Sequence, residues 1–263
     1  MPVRDKGIVV TGAGHGIGRA LATRLAAEGA RVVVNDLDAP ATAEVAEAIG
    51  GHAAPGDAAS EQGIAELVTT ARERLGAIDV WFANAGIARG GGLESSEVDW
   101  AASIEVNVLA HVRAARLLVP GWVESGGGRF VVTASAAGLL TALGSPTYSV
   151  SKHSAVAFAE WLSATYRHQG VVVQAICPQG VRTAMYEASG ALRDVMAHDA
   201  TLTPEDVAEA MWQALQDDRF LVLPHPEIAG YYAGRAADTD RWLRGMNKLQ
   251  QRLDAATTAA KES

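Results

Sequence analysis

Tyr148 and Lys152 stand four residues apart in the stretch SPTYSVSKHSAVAF (145–158), on one edge of a single helical turn. An unperturbed phenol has a pKa near ~10, too high for an efficient base at neutral pH. An ammonium on the same edge favours the phenolate and lowers that value, and a second positive charge such as an oxidised nicotinamide ring would lower it further. A tyrosine so placed can take a proton from a secondary alcohol or return one to a ketone. Taken alone, the spacing equally suits a surface tyrosine lying along a lysine stem. Its meaning has to come from the rest of the chain.

A second chemical signal lies near the N-terminus. VVTGAGHGIGRAL (9–21) reads as a strand, a glycine-rich turn and a helix. Glycines let backbone approach a ligand closely, and the start of a helix offers unpaired N–H groups to a pyrophosphate. The pattern G-x-G-x-x-G fails, because Ile17 occupies the sixth position from Gly12; T-G-x-x-x-G-x-G fits, with Thr11, Gly12, Gly16 and Gly18. The following strand, VVVND, ends in Asp36, where an acid can accept hydrogen bonds from an adenosine ribose and repel a 2′-phosphate. NAD is therefore expected over NADP. Asp36 could instead cap the next helix, a job Asp38 could also do.

The elements that must position these residues alternate. Short β-branched runs at 7–11, 31–36, 78–84, 129–135, 171–177 and 219–223, with a weaker one at 51–55, are separated by helical patterns near 16–28, 39–49, 60–74, 96–119, 146–168 and 203–216. Near-continuous apolar strands between helices imply a doubly wound parallel sheet of Rossmann type, a three-layer α/β/α architecture. No linker, repeat or low-complexity segment divides the chain, so residues 1–263 are expected to form a single domain. Ser96 in SEVD and Thr203 in TPED head capping boxes, and Ser145 stands as the N-cap before Pro146. Beyond Pro224 and Pro226 a helical extension (about 226–254) carries Trp242, Met246, Leu249 and Leu253 at helical spacing. The last residues, AATTAAKES, are expected to fray.

Composition narrows the classes further. With 263 residues, 49% of them hydrophobic, the chain can bury a real core. A net charge of −8 and no basic cluster argue against nucleic acid. The single cysteine, Cys177, rules out an intrachain disulfide framework and, closing a buried strand, suits core better than a nucleophile. No apolar run reaches the length of a signal peptide or a membrane span, which points to a soluble cytoplasmic protein without a membrane partner. The histidines lack metal-ligand spacing, so no metal is expected.

The ordered set TGAGHGIG, NDLD, NAG (84–86), Asn107, VVTAS ending at Ser135, YSVSK (148–152) and CPQGVRT (177–183) resembles a short-chain dehydrogenase/reductase over roughly residues 7–223. The resemblance implies an NAD(P)-linked enzyme interconverting a secondary alcohol and a ketone. Tyr148 would be the general acid/base, and Lys152 would lower its pKa and hold the nicotinamide ribose hydroxyls. Ser135 would donate a hydrogen bond to the substrate oxygen. Asn107 would hold a water linking Lys152 to solvent. Gly12, His15, Gly16, Ile17, Gly18, Asp36, Asp57, Asn84, Gly86, Pro178, Val181 and Thr183 would line the cofactor site, with Asp57 at the adenine. From the residues themselves, Ser135 and Asp57 suit turns as well, and Asn107 could bond backbone across a helix kink.

The chain departs from the family pattern twice. Ala83 stands where the family has the first Asn of Asn-Asn-Ala-Gly, and Gln179 intervenes where it has Pro-Gly. Gln179 is expected to contact substrate or the cofactor carboxamide; it could instead face solvent while Gly180 supplies the flexibility. His15 sits where NADP users often carry a basic residue, but Asp36 should dominate. Residues 182–202 occupy the place of the family's substrate loop, where Met185, Tyr186, Leu192 and Met196 could close over an apolar alcohol or ketone against Leu139, Leu140 and Thr141. Val150, Ala157 and Trp161, extended by Phe158 and Leu162, give the helix at 146–168 a second apolar face. That face and the resemblance point to a homo-oligomer, a dimer or tetramer, with the Trp242 stripe packing between subunits or covering the substrate mouth. Competing readings are an NADPH-preferring carbonyl reductase, a non-catalytic dinucleotide sensor and a methyltransferase. Asp36 disfavours the first, and the other two have no use for the Tyr–Lys pair.

Overall fold

The computed structural model describes residues 2–188 and 200–262. Within them, β1 (Gly7–Thr11), β2 (Arg31–Asn35), β3 (His52–Ala53), β4 (Val80–Ala83), β5 (Gly128–Thr133), β6 (Val171–Ile176) and β7 (Leu221–Val222) form one sheet in the order β3-β2-β1-β4-β5-β6-β7. Every pairing is parallel. The chain winds outward from β1 to β3 and returns on the other side of β1 as β4. The crevice where the two windings part lies beyond the carboxyl ends of β1 and β4, the usual ligand position in such sheets.

Both faces of the sheet are covered, which is why its strands read as unbroken apolar runs. Neighbouring residues point to opposite layers: Trp81 joins a core with α3 (Glu61–Leu75), α5 (Ala110–Ser125) and α6 (Pro146–Tyr166), whereas Phe82 joins one with α1 (Gly16–Ala27) and α2 (Ala39–Ile49). The capping boxes form as expected, Ser96 with Asp99 at the start of α4 (Glu97–Ile104) and Thr203 with Asp206 before the helix Pro204–Ala214. Ser145 does occupy the N-cap of α6, but its side chain makes no capping bond.

The continuous helix expected over 96–119 is instead α4, a π-helical turn (Glu105–Leu109) and α5, which runs past Pro120 to Gly126 at φ +90°. The extra residue in the π turn lets Asn107 face inward, fully buried. After Thr183, α7 (Ala184–Glu187) opens the loop; the helix Pro204–Ala214 is α8, followed by α9 (Glu227–Ala237) and α10 (Thr239–Glu262). Leu192 and Met196 lie outside the described residues. Trp242 and Tyr232 pack, half-buried, on the chain's own core beside Ile228. Helix α10 runs to Glu262. On α6, Val150, Ala157 and Trp161 are exposed as expected, but Leu162 is buried and Phe158 packs against the core. No helix among the described residues is long and apolar enough to cross a membrane.

Candidate active site

A cleft of about 870 Å³ opens along the crevice. It is lined by Gly12, His15, Gly16, Ile17, Gly18, Asp36, Asp57, Asn84, Gly86, Ser135, Tyr148, Lys152, Pro178, Gln179, Val181, Thr183 and Met185. Residues from distant parts of the chain thus meet in one groove. Asn107 alone of the expected catalytic and cofactor-binding residues lies behind the wall.

At one end the backbone makes the site. Gly12 and Gly16 hold φ of +61° and +50°, conformations open mainly to glycine. A Cβ on Gly18 would lie 2.1 Å from the Gly12 carbonyl oxygen and 2.6 Å from the Asn84 amide nitrogen. His15 is the N-cap of α1 but gives no side-chain capping bond, which leaves the first N–H groups of a twelve-residue helix facing the cleft. Thr11 Oγ1 accepts from the Asn84 and Ala85 N–H groups and donates to the Phe82 carbonyl. Asn84 uses its amide N–H groups on the Thr11 and Gly12 carbonyls, so this side chain braces the turn.

Asp36 accepts from the Gly14 and Asp38 N–H groups, and Asp38 caps α2 through Ala41. The capping role belongs to Asp38 alone. His15 lies 3.1 Å from Asp38 Oδ2 and is turned to that carboxylate. Asp57 lines the cleft and also makes a turn. Burial works to raise its carboxyl, but the Ala59 and Ser60 donors hold it below its usual value.

The other end carries the titratable groups. Lys152 is 3% exposed, and its Nζ donates to the Thr133 carbonyl at 2.8 Å and lies 5.6 Å from the centre of the Tyr148 ring. Burial pushes the Tyr148 phenol above its ordinary value, while the Ser135 hydroxyl pulls it down. Burial also lowers Lys152 to about 8. The expected depression of the Tyr148 pKa by Lys152 is thus not what this arrangement produces. Removal from water sets the direction of both shifts, and Ser135 is the neighbour that favours the phenolate. Ser135 also accepts from the Ala137 N–H, so it serves its turn as well as facing the cleft.

Asn107 accepts from the Ile87 N–H and donates to the Ile87 carbonyl and to Ser151. Its amide protons are engaged, so a water would have to be met by the remaining lone pair of Oδ1. Gly86 sits between: a Cβ there would lie 3.2 Å from both Asn107 Oδ1 and Lys152 Nζ. Ala83 is buried in β4 and serves packing.

The wall around the reacting end includes Leu140, Thr141, Met185 and Tyr186; Leu139 is instead a core residue, 1% exposed. Thr141 holds φ +117°, a strained conformation for a β-branched residue at the cleft edge. Gln179 lines the cleft, with its N–H donated to His225 Nδ1. Neither Gln179 nor Gly180 takes a positive φ, so Gly180 does not supply the flexibility anticipated for it; a Cβ at that glycine would press on the Tyr186 ring at 3.2 Å. Cys177 is buried, and burial pushes its thiol to about 12, which suits core and not nucleophile.

Two buried histidines escaped the sequence reading. His225 bonds the Gln179–Gly180 loop, and His111 lies behind the Thr11–Ala85 corner, its pKa lowered to about 3 by burial and the nearby Lys152 charge. Only the flanking Pro224 and Pro226 hinted at the first.

A doubly wound sheet with an anion-ready helix start, an acid after β2 and a Ser–Tyr–Lys cluster defines a dinucleotide-linked oxidoreductase. The family description "short chain dehydrogenase" matches residues 6–193. The chain is 35% identical over 236 residues to the 1-deoxy-11-beta-hydroxypentalenate dehydrogenase of Streptomyces avermitilis, covering 86% of this chain and 87% of that one. It is 34% identical over 194 residues to the D-beta-hydroxybutyrate dehydrogenase of Cupriavidus necator, covering 70% and 74%. A short-chain dehydrogenase/reductase from Burkholderia phymatum, solved in complex with NAD, superposes with a TM-score of 0.83 at 30% identity, over 91% of this chain and 96% of that one. This chain belongs to the short-chain dehydrogenase family of NAD(P)-linked oxidoreductases.

Proposed function

We propose that this protein is an NAD-dependent dehydrogenase that interconverts an apolar secondary alcohol and its ketone, with Tyr148 as general acid/base. One observation carries the reading: Ser135, Tyr148 and Lys152 converge at one end of a groove whose other end is edged by Asp36. The cofactor fits the residues present, because the uncapped start of α1 and the Cβ-intolerant Gly18 make a cradle for a pyrophosphate. Gly12 and His15 to Gly18 would hold that group, Asp36 the adenosine ribose and Asp57 the adenine edge. Gly86, Pro178, Val181 and Thr183 would line the nicotinamide, with Asn84 bracing the turn behind. When bound, NAD supplies the hydride acceptor, or in its reduced form the donor.

The protein's own part is proton transfer and positioning. Ser135 would donate to the substrate oxygen where negative charge develops. Tyr148, kept protonated at neutral pH by burial, is in the form that returns a proton to a ketone oxygen. For oxidation the phenol must first ionise, so alcohol oxidation should gain about tenfold per pH unit below the tyrosine pKa, while ketone reduction should not. Lys152 would hold the ribose hydroxyls with the N–H groups left after its bond to Thr133, and Asn107 would order a proton path behind it. Ile87, Ala88, Val106, Leu140, Met185 and Tyr186, which line the reacting end, carry no charge, which supports an apolar substrate. Gln179 would contact the substrate or the carboxamide.

The domain is read as one nucleotide-binding unit over 1–263, with a substrate loop at 182–202 and the α9–α10 extension. The exposed Val150–Ala157–Trp161 face of α6 supports a homo-oligomer, a dimer or tetramer, and sedimentation as a monomer at micromolar concentration would refute that part. Compartment is read as cytoplasmic. The enzymatic reading is tested by titrating NADH and NADPH separately and then screening secondary alcohols by absorbance of the reduced ring. Tighter NADPH binding, or no turnover with any alcohol or ketone, would refute it.

A further inference from the structure

His225 comes from the short link between β7 and α9, between two prolines, and is 1% exposed. Its Nδ1 accepts from the Gln179 N–H at 3.1 Å, and its Nε2 lies 3.1 Å from the Gly180 carbonyl oxygen. A carbonyl can only accept, so the proton sits on Nε2, and the two bonds together fix both tautomer and ring plane. The ring grips two consecutive peptide groups. On the other side of the same loop, the Pro178 carbonyl accepts from the Ala136 N–H at 2.8 Å, next to Ser135. The Pro178–Gly180 loop is thus clamped between the Ser135 turn and a histidine 46 residues further along the chain.

We propose that His225 is a positioning residue: it holds the Gln179 peptide so that the Gln179 side chain is aimed at the reacting end of the cleft. This rests on the dehydrogenase reading above and adds to it. Gln179 stands where a glycine would have had no side chain to aim. The clamp makes that side chain a fixed part of the wall, and it ties the C-terminal extension to substrate recognition.

The test is a double-mutant cycle in the full chain, with NAD and an alcohol that the wild type oxidises. His225→Phe removes both bonds and keeps a ring. His225→Asn keeps an acceptor near the Nδ1 position, and His225→Gln keeps a donor near the Nε2 position. We expect His225→Phe to lower kcat/KM for the alcohol about 3- to 10-fold, no more than loss of the Gln179 side chain itself, while the NADH dissociation constant changes less than about 3-fold. His225→Asn should recover most of that loss and His225→Gln little of it. In a Gln179→Ala background, His225→Phe should lower kcat/KM by less than about 2-fold. Equal losses in both backgrounds, or losses shared by NADH binding, would make His225 a fold support and overturn the proposal. If His225→Phe does not fold, the Asn and Gln variants decide alone, and equal activities for the two overturn it. Wild-type turnover abolished by Tyr148→Phe establishes the dehydrogenase reading separately; a wild type without turnover overturns both.

Discussion

The two ends of the cleft are built by different means. At the Asp36 end, backbone meets backbone: the Thr11 hydroxyl and the Asn84 amide bind main-chain groups, and Gly18 packs directly on the Gly12 carbonyl. The close backbone approach leaves no room for a larger side chain at Gly18. At the Gln179 end, side chains from distant segments pack on and bond to the loop. The closest neighbour of a Cβ on Gly180 would be the edge of the Tyr186 ring, and the loop is held by a histidine from the far end of the chain. The first end suits an invariant nucleotide. The second can be altered by changing single side chains, as a substrate site must be.

The largest expected effect lies at the reacting group itself. Tyr148→Phe should cut turnover by about 10³-fold, within the range for loss of a general acid/base, and leave NADH affinity within about 3-fold. Normal turnover would reassign the base. The comparison between the two ends is sharpened most by a pair of alanines. Gly18→Ala should weaken NADH binding by about 100-fold, because its Cβ would need to occupy the space of a carbonyl oxygen. Gly180→Ala should change NADH binding by less than about 3-fold, since a ring can tilt away. Fluorescence titration of both variants checks this, and similar losses would erase the distinction.

Removing the acid should have a smaller effect. Asp36→Ala is expected to lower kcat/KM with NAD by about 10- to 100-fold, the worth of a hydrogen bond to a charged acceptor, and to raise the efficiency of NADP. An unchanged NAD-to-NADP ratio would remove the carboxylate from cofactor choice. Behind this same end sits His111, held neutral in the fold to about pH 3. Below about pH 6.5 the unfolded chain takes a proton that the folded chain refuses, so stability falls as pH falls through that window. By pH 4.5 the loss should reach about 2.5 kcal/mol, and His111→Leu should remove that part of the acid slope in urea unfolding. Parallel slopes for the two proteins would contradict it. The smallest effect is expected from Gln179→Gly, a change of about 3- to 10-fold in the alcohol KM with the NAD KM unmoved. Identical constants would dispose of the substrate contact.

How much of this was legible differs between the two ends for the same reason. The turn at 11–18, Asp36 and the Tyr148–Lys152 pair are local patterns, set by backbone conformation and helical spacing, so their residue types announce them. The strands were legible because a sheet buried on both faces needs unbroken apolar runs. The π turn was not, because one inserted residue leaves the composition of a helix unchanged while turning Asn107 inward. Nor was the outcome of the Lys152 charge: spacing shows that two groups are near, but the balance between attraction and burial depends on what surrounds them. Leu139 shows the same limit, since only packing sends it to the core while Leu140 lines the cleft.

By itself the sequence determined the doubly wound architecture, the nucleotide end and the candidate acid/base pair, because each follows from short-range chemistry along the chain. The tertiary structure decided that Asp38 and not Asp36 caps α2, that Trp242 packs on this chain's own core, and that His225 grips the Gln179 loop. Those outcomes depend on which distant groups are brought within bonding distance, and no local pattern of residue types encodes that.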